Sequence, residues 1–312
     1  MHTISIVSNK GGSGKTLISF LIAGAIKKLH PKQRVLFMDL TQDQGSRSIS
    51  LAPDQERKGL GLGRALTPIV MADGDEDRMV EAGREGAETL RKAIQPVCVV
   101  PGKGMDGVIG FAPAASSDLD KLAEGTWNKS ANPEIALVTL LSELEQEWDW
   151  VVIDTPGALN SPAVRAAMPI SDAVAIPCDC RVTETLAGLE KVFTQVRKIQ
   201  KLGLDVNLAG LIGNMVVNTA ASRETLQTLQ TISEQRNIPI LAWIDHVTTA
   251  SNSLRAYEVE VEGTPMRGGG LYFEAMAQNP SVRAKADELA AQFEEIASGL
   301  MHSAQQANEA SA

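Results

Sequence analysis

The chain has 312 residues, 44% hydrophobic and 4% aromatic, which is apolar surface enough for one large α/β domain or two small ones. A net charge of -9 argues against a general basic coat for nucleic acid and leaves room for a local basic patch. No uninterrupted apolar stretch is long enough for a membrane-spanning helix, and Cys98, Cys178 and Cys180 are too few for a disulfide framework, which suits a reducing cytoplasm.

The first predicted element is a strand over Thr3–Ser8, so early that no room is expected for a signal peptide. It leads into Asn9-Lys10-Gly11-Gly12-Ser13-Gly14-Lys15-Thr16, and a helical stretch follows from Leu17 to Leu29. Strand, glycine loop and helix make the context of a phosphate-binding loop. The glycines let several backbone N–H groups converge on one anion, and the helix adds its positive N-terminal end. Gly11, Gly12, Ser13, Gly14, Lys15, Thr16 and Leu17 are therefore the expected nucleotide contacts. Lys15 would reach the β- and γ-phosphates, and the Thr16 hydroxyl would ligate Mg²⁺. The ligand expected is a nucleoside triphosphate.

A second strand, Val35–Asp39, ends in a carboxylate expected to point at the same site. From Gly45 to Gly107 the pattern weakens. Gly59-Leu60-Gly61-Leu62-Gly63 and Asp73-Gly74-Asp75-Glu76-Asp77 are expected to be loops, and the segment an elaboration of the domain. Strands follow at Val108–Ala112, Trp150–Asp154, Ala173–Pro177, Ala209–Gly213 and Ile240–Ile244. Most are continuous apolar runs, as expected of parallel strands covered on both faces. Alternation with helical stretches predicts an α/β fold: a doubly wound, mostly parallel sheet flanked by helices, with phosphates beyond the carboxyl ends of the strands. The strand Trp150–Asp154 ending in an acid is a Walker B arrangement, so Asp154 is expected to hold a Mg²⁺-bound water.

Val282, Ala286, Leu289, Phe293, Ile296 and Leu300 form one apolar helical stripe, flanked by Asp287, Glu288, Glu294 and Glu295. Acidic flanks favour core packing over docking on a membrane surface. The expected organisation is one domain over residues 1–302, elaborated at about 45–107, with a flexible tail at 303–312.

The loop departs from the general G-x-x-x-x-G-K-[ST] form, because Asn9 stands where its first glycine would be. Lys10-Gly11-Gly12-Ser13-Gly14-Lys15-Thr16 resembles the deviant Walker A loop of the ParA/MinD ATPases. The resemblance runs from Thr3 to about Leu300 and is nearest to the short ParA type of plasmid partition ATPase. It implies that Lys10 reaches the phosphates of a partner subunit's nucleotide. It also implies that ATP and Mg²⁺ are the ligands, and that an ATP-bound homodimer binds nonspecific DNA. Hydrolysis would be slow, stimulated by a centromere-binding or cargo adaptor protein, and would release the dimer. The protein would be cytoplasmic, on the nucleoid when ATP-bound, with no membrane partner.

In that family the segment after the second strand reads D-x-D-P-Q-G. Here it is Asp39-Leu40-Thr41-Gln42-Asp43-Gln44-Gly45. The resemblance makes Asp39 the acid that organises Mg²⁺. It leaves either Thr41 or Asp43 in the place of the second acid, with Asp43 the carboxylate available. Thr155-Pro156-Gly157 resembles the second switch, and Asn214 falls where the family contacts the adenine edge. Basic residues of the later segments meet DNA phosphates in partition ATPases; the counterparts here are Arg197, Lys198, Lys201, Arg223 and Arg255. Positioning of a protein assembly or of conjugation machinery is an alternative. So is metal insertion through Cys178 and Cys180, although a four-ligand site has no further Cys or His cluster here.

Overall fold

The computed structural model describes residues 1–41, 47–72, 75–246, 255–276 and 279–311. Ten strands form one sheet: β1 (His2–Ile6), β2 (Val35–Asp39), β3 (Gln95–Cys98), β4 (Val108–Ala112), β5 (Trp150–Asp154), β6 (Ala173–Asp179), β7 (Leu208–Val216), β8 (Ile240–Asp245), β9 (Tyr257–Val261) and β10 (Thr264–Gly268). Their spatial order is β8-β7-β6-β1-β5-β2-β4-β3-β10-β9. From β8 to β4 every pairing is parallel, and the expected doubly wound sheet is what forms. Every residue of β2, β5 and β6 is buried, which is why these strands read as unbroken apolar runs.

The helices are α1 (Lys15–Leu29), α2 (Arg47–Leu51), α3 (Pro53–Arg57), α4 (Leu62–Met71), α5 (Glu76–Ala93), α6 (Ser116–Glu124), α7 (Thr126–Lys129), α8 (Glu134–Ser142), α9 (Pro162–Ile170), α10 (Glu184–Gln200), α11 (Ala220–Arg236), α12 (Leu271–Glu274) and α13 (Pro280–Ser311). One core joins α1 and α13 to one face of the sheet, through Ile22, Ile26, Phe37, Phe293 and Ile296. A second joins α4, α5 and α8 to the other face, through Leu36, Leu66, Leu90, Leu140 and Val151.

The segment after Gly45 differs from expectation. Gly59–Gly61 form the expected loop, but Leu62 and Gly63 already belong to α4. A side chain at Gly61 would come within 2.2 Å of the Pro113 carbonyl oxygen, and one at Gly63 within 2.5 Å of the Leu119 nitrogen. These glycines let α4 press its backbone onto the loop after β4, where Leu62 N–H donates to Pro113 O at 2.8 Å, and onto the start of α6. Of the acidic run, Asp73 and Gly74 lie outside the described residues; Asp75 is a helix cap, accepting from Arg78 N–H at 3.1 Å, and Glu76 and Asp77 start α5. Three strands were not expected at all: β3, which carries Pro96 and runs antiparallel to β4, and the hairpin β9–β10 beyond it.

The last described residues, expected to fray, are helical. α13 continues to Ser311, buries Met301 and Ala304, and lays Ser303 against Asn207, whose amide donates to the Ser303 hydroxyl at 3.0 Å. Asn308 reaches Nδ1 of His2 at 2.8 Å. No helix among the described residues is long and apolar enough to cross a membrane.

Candidate nucleotide site

Strand register assembles the site. Ile6 of β1 and Asp39 of β2 both lie level with Asp154 of β5, so the glycine loop leaves β1 beside Asp154, with Asp39 one strand further on, at the carboxyl ends of central strands. In the loop, Gly12 and Gly14 take left-handed backbone angles, φ 75° and 85°. Gly14 is constrained twice, since a Cβ there would lie 2.4 Å from Nδ2 of Asn214. That amide donates to the Ser13 carbonyl at 2.9 Å. Asn214, expected at a base edge, therefore has the loop itself as its partner.

Lys15 is buried, and its Nζ donates to the Lys10 carbonyl at 3.1 Å. The same carbonyl accepts from the hydroxyls of Ser8 and Ser13, each at 3.3 Å. Lys10 sends its own ammonium outward to Asp179, 3.4 Å away. Gly157 closes over the loop: a side chain there would stand 3.4 Å from Gly11 N and 3.5 Å from Nζ of Lys15. Thr155, before it, anchors the segment by donating to Ile6 O at 2.7 Å.

The two strand-end acids have different surroundings. Asp39 is fully buried and saturated. Its Oδ1 accepts from the backbone and hydroxyl of Thr41, and its Oδ2 from the backbone and hydroxyl of Ser48, at 2.9 and 2.8 Å. The Ser48 hydroxyl in turn accepts Ala114 N–H at 2.7 Å, tying β2, α2 and the loop after β4 together. Asp154 is also fully buried, yet neither of its carboxylate oxygens has a hydrogen-bond partner. Burial, and then the charge of Asp39, pushes its carboxyl up to about 7, partly offset by Thr16, Lys15 and Ser19. An orphaned carboxylate beside a threonine hydroxyl and a lysine is a donor set that fits a hard divalent cation. Asp43 lies outside the described residues.

Two neighbours escaped the sequence reading. In Cys178-Asp179-Cys180 the thiols at both ends enter the core, where Sγ of Cys178 donates to Ile176 O and Sγ of Cys180 to Cys178 O. Burial raises both thiols, Cys180 to about 12, so they stay protonated and poorly disposed to bind a metal. The middle residue, alternating to the other side, presents Asp179 to Lys10. Arg181 grips the same carboxylate through Nε and Nη2, both at 2.9 Å. Burial alone would raise Asp179, but these bonds and charges hold it below its ordinary value. The available signal was the period of two along β6. Among the described residues no group of three or more His, Cys, Asp or Glu could hold a metal ion.

The basic residues do not form one patch. Arg197, Lys198 and Lys201 share the exposed side of α10 near its C-terminus. That helix starts beside the loop, where Gly188 nears Asn9, and runs back towards the start of β7. Arg223 stands instead at the start of α11, and Arg255 just before β9 at the opposite edge of the sheet.

A deviant phosphate loop on a parallel sheet, with an acid closing the neighbouring strand, defines a P-loop nucleotide-binding protein. Comparison with known proteins narrows this. The AAA_31 family model, an AAA domain, matches residues 1–209. A ParA family protein of Mycoplasma pneumoniae is 24% identical over 255 residues, covering 82% of this chain and 86% of its own length. The sporulation initiation inhibitor protein Soj of Bacillus subtilis is 25% identical over 68% of this chain and 72% of its own. In fold, the chain resembles an ATP complex of a Cyanothece McdA variant, with TM-score 0.63, 17% identity and 96% of each chain covered. It also resembles a putative plasmid partition protein of Borrelia burgdorferi bound to AMPPNP, with TM-score 0.60, 18% identity and 96% and 98% covered. The chain belongs to the ParA/MinD family of deviant Walker A ATPases.

Proposed function

We propose that this protein is a Mg²⁺-dependent ATP hydrolase of the ParA type that segregates or positions DNA, a plasmid above all. In this reading two ATP-bound copies face each other, each lending Lys10 to the other's phosphates. The sandwich dimer binds DNA without reading sequence. An adaptor on the cargo stimulates hydrolysis and dissolves the dimer, which is held to the nucleoid only while ATP is bound.

The observation that carries the reading is the pairing of the loop with Asp154, a buried carboxylate without a hydrogen-bond partner beside Thr16 and Lys15. Thr16 and Asp154 would hold the cation, which when bound neutralises charge on the phosphates. Asp39, saturated by Thr41 and Ser48, acts at one remove: it fixes the strand end and raises Asp154. Loop N–H groups and Lys15 bind the β- and γ-phosphates, while Asn214 holds the loop in shape through Ser13. Arg197, Lys198 and Lys201 are the DNA contacts this reading favours, since they share one exposed helix face.

The test is binding to a random-sequence duplex with ATP·Mg²⁺, with ADP, and with Lys15→Ala, at two salt concentrations. Binding that needs ATP, weakens with salt and disappears in the variant is the expected result. An ATP-bound chain that ignores DNA at both salts would sink the partition reading and turn attention to a protein cargo.

A further inference from the structure

Lys10 is held at both ends by its own chain. Its carbonyl accepts from Lys15 Nζ, Ser13 Oγ and Ser8 Oγ, and its ammonium rests on Asp179. The two cations on Asp179 are unequal partners. Arg181 makes a planar two-point grip at 2.9 Å, and its backbone N–H adds a third bond at 3.1 Å. Lys10 makes a single contact at 3.4 Å and is 37% exposed, whereas Asp179 is 1% exposed. A buried carboxylate needs a counter-charge. Because Arg181 already supplies one, Lys10 is the member most easily let go. The other end is coupled to phosphate binding, since a phosphate that takes Lys15 draws it off the Lys10 carbonyl.

We propose that Asp179 and Arg181 are positioning residues that set how readily Lys10 leaves its own chain: Asp179 retains it, and Arg181 weakens that hold by sharing the carboxylate. The inference rests on the reading of Lys10 as a group that reaches a second copy's nucleotide. It predicts opposite effects from two changes to one ion cluster. Asp179→Asn frees Lys10. Arg181→Gln leaves the buried carboxylate to Lys10 alone and tightens the contact. A purely structural role for the cluster would push both variants the same way.

Two readouts on the full chain test this. The first is the rate at which Lys10 is acylated by an N-hydroxysuccinimide ester, followed by peptide mass spectrometry without nucleotide. It is expected to rise about two- to fivefold in Asp179→Asn and to fall in Arg181→Gln, the range of a half-exposed ion pair. The second is sedimentation with AMPPNP over a protein dilution series. The dimer is expected to tighten by a similar factor in Asp179→Asn and to weaken in Arg181→Gln, with binding of fluorescent ATP to the monomer unchanged. Equal labelling in all three proteins, or dimer shifts of the same sign in both variants, would overturn the inference while leaving the ATPase reading intact. A wild-type chain that binds AMPPNP yet stays monomeric at every concentration would overturn the reading of Lys10 and this inference with it.

Discussion

At Asp154 the fold buries a carboxyl group whose oxygens have no hydrogen-bond partner, and burial and Asp39 raise it from 3.8 to about 7. The folded chain then keeps a proton that the unfolded chain has already lost, so this group costs the fold stability as pH rises from about 4 to about 7. At about 1.4 kcal/mol per pH unit, the cost is a few kcal/mol above pH 7. Asp154→Asn removes it. In thermal unfolding with chelator present, the variant is expected to match the wild type near pH 4 and to exceed it by several degrees at pH 8. Adding Mg²⁺ and ATP should raise the wild-type midpoint and leave the variant's nearly where it was. Parallel melting curves from pH 4 to 8 would refute the assignment of Asp154 as the strained acid. The contrast with Asp39 is instructive: both residues close apolar strands, and Thr41 and Ser48 make one of them a scaffold.

Among the elements, α13 invites the most direct test, because its last turns read as a polar tail and yet pack. Met301 and Ala304 are buried, Ser303 is bonded to Asn207, and Asn308 meets His2. Truncation after Leu300 should cost about 3 kcal/mol, mostly for the methionine side chain and the bonds of Ser303. In a domain of this size that lowers the melting midpoint by on the order of 6 °C; an unchanged midpoint would mean these turns do fray. The central strands were legible because burial on both faces leaves an unbroken apolar run, as in Val35–Asp39 and Trp150–Asp154. The edge was not. Glu258 and Glu260 alternate along β9, Pro265 sits in its partner β10 and Pro96 in β3 one strand further in, which is the chemistry of a protected sheet edge and reads locally as loop. Gly63 misled for another reason: with Gly61 it serves close backbone approach to the segment after β4, a contact far apart in sequence. The candidate site divides the same way. The phosphate loop and Asp154 are local patterns, whereas Asn214 on Ser13 and Asp179 on Lys10 depend on how strands line up across the sheet.

On the scale of the whole molecule, a net charge of -9 sets copies of this chain against each other and against DNA. Salt should therefore act in two directions, easing the approach of two acidic copies while releasing any DNA held by phosphate contacts. Binding to an acidic protein must come from a local basic face, and α10 offers one. Arg197 bonds only to Thr194 among the described residues, and Lys198 and Lys201 are exposed beside it. Each phosphate contact contributes about 0.9 to the slope of log affinity against log salt concentration. Replacing Arg197, Lys198 and Lys201 together by alanine should flatten that slope by roughly 3 per copy if each meets one phosphate. ATP binding and the AMPPNP-dependent dimer should survive, because the three residues lie in the last turn of α10 and just beyond it, at the other end of the helix from Gly188. The measurement is duplex affinity by fluorescence anisotropy at four or more salt concentrations, at protein concentrations where dimerisation is complete, so that the salt effect on dimerisation does not enter. A triple variant with the wild-type slope would remove α10 from the DNA interface and leave Arg223 or Arg255, on other parts of the surface, as the residues to replace next.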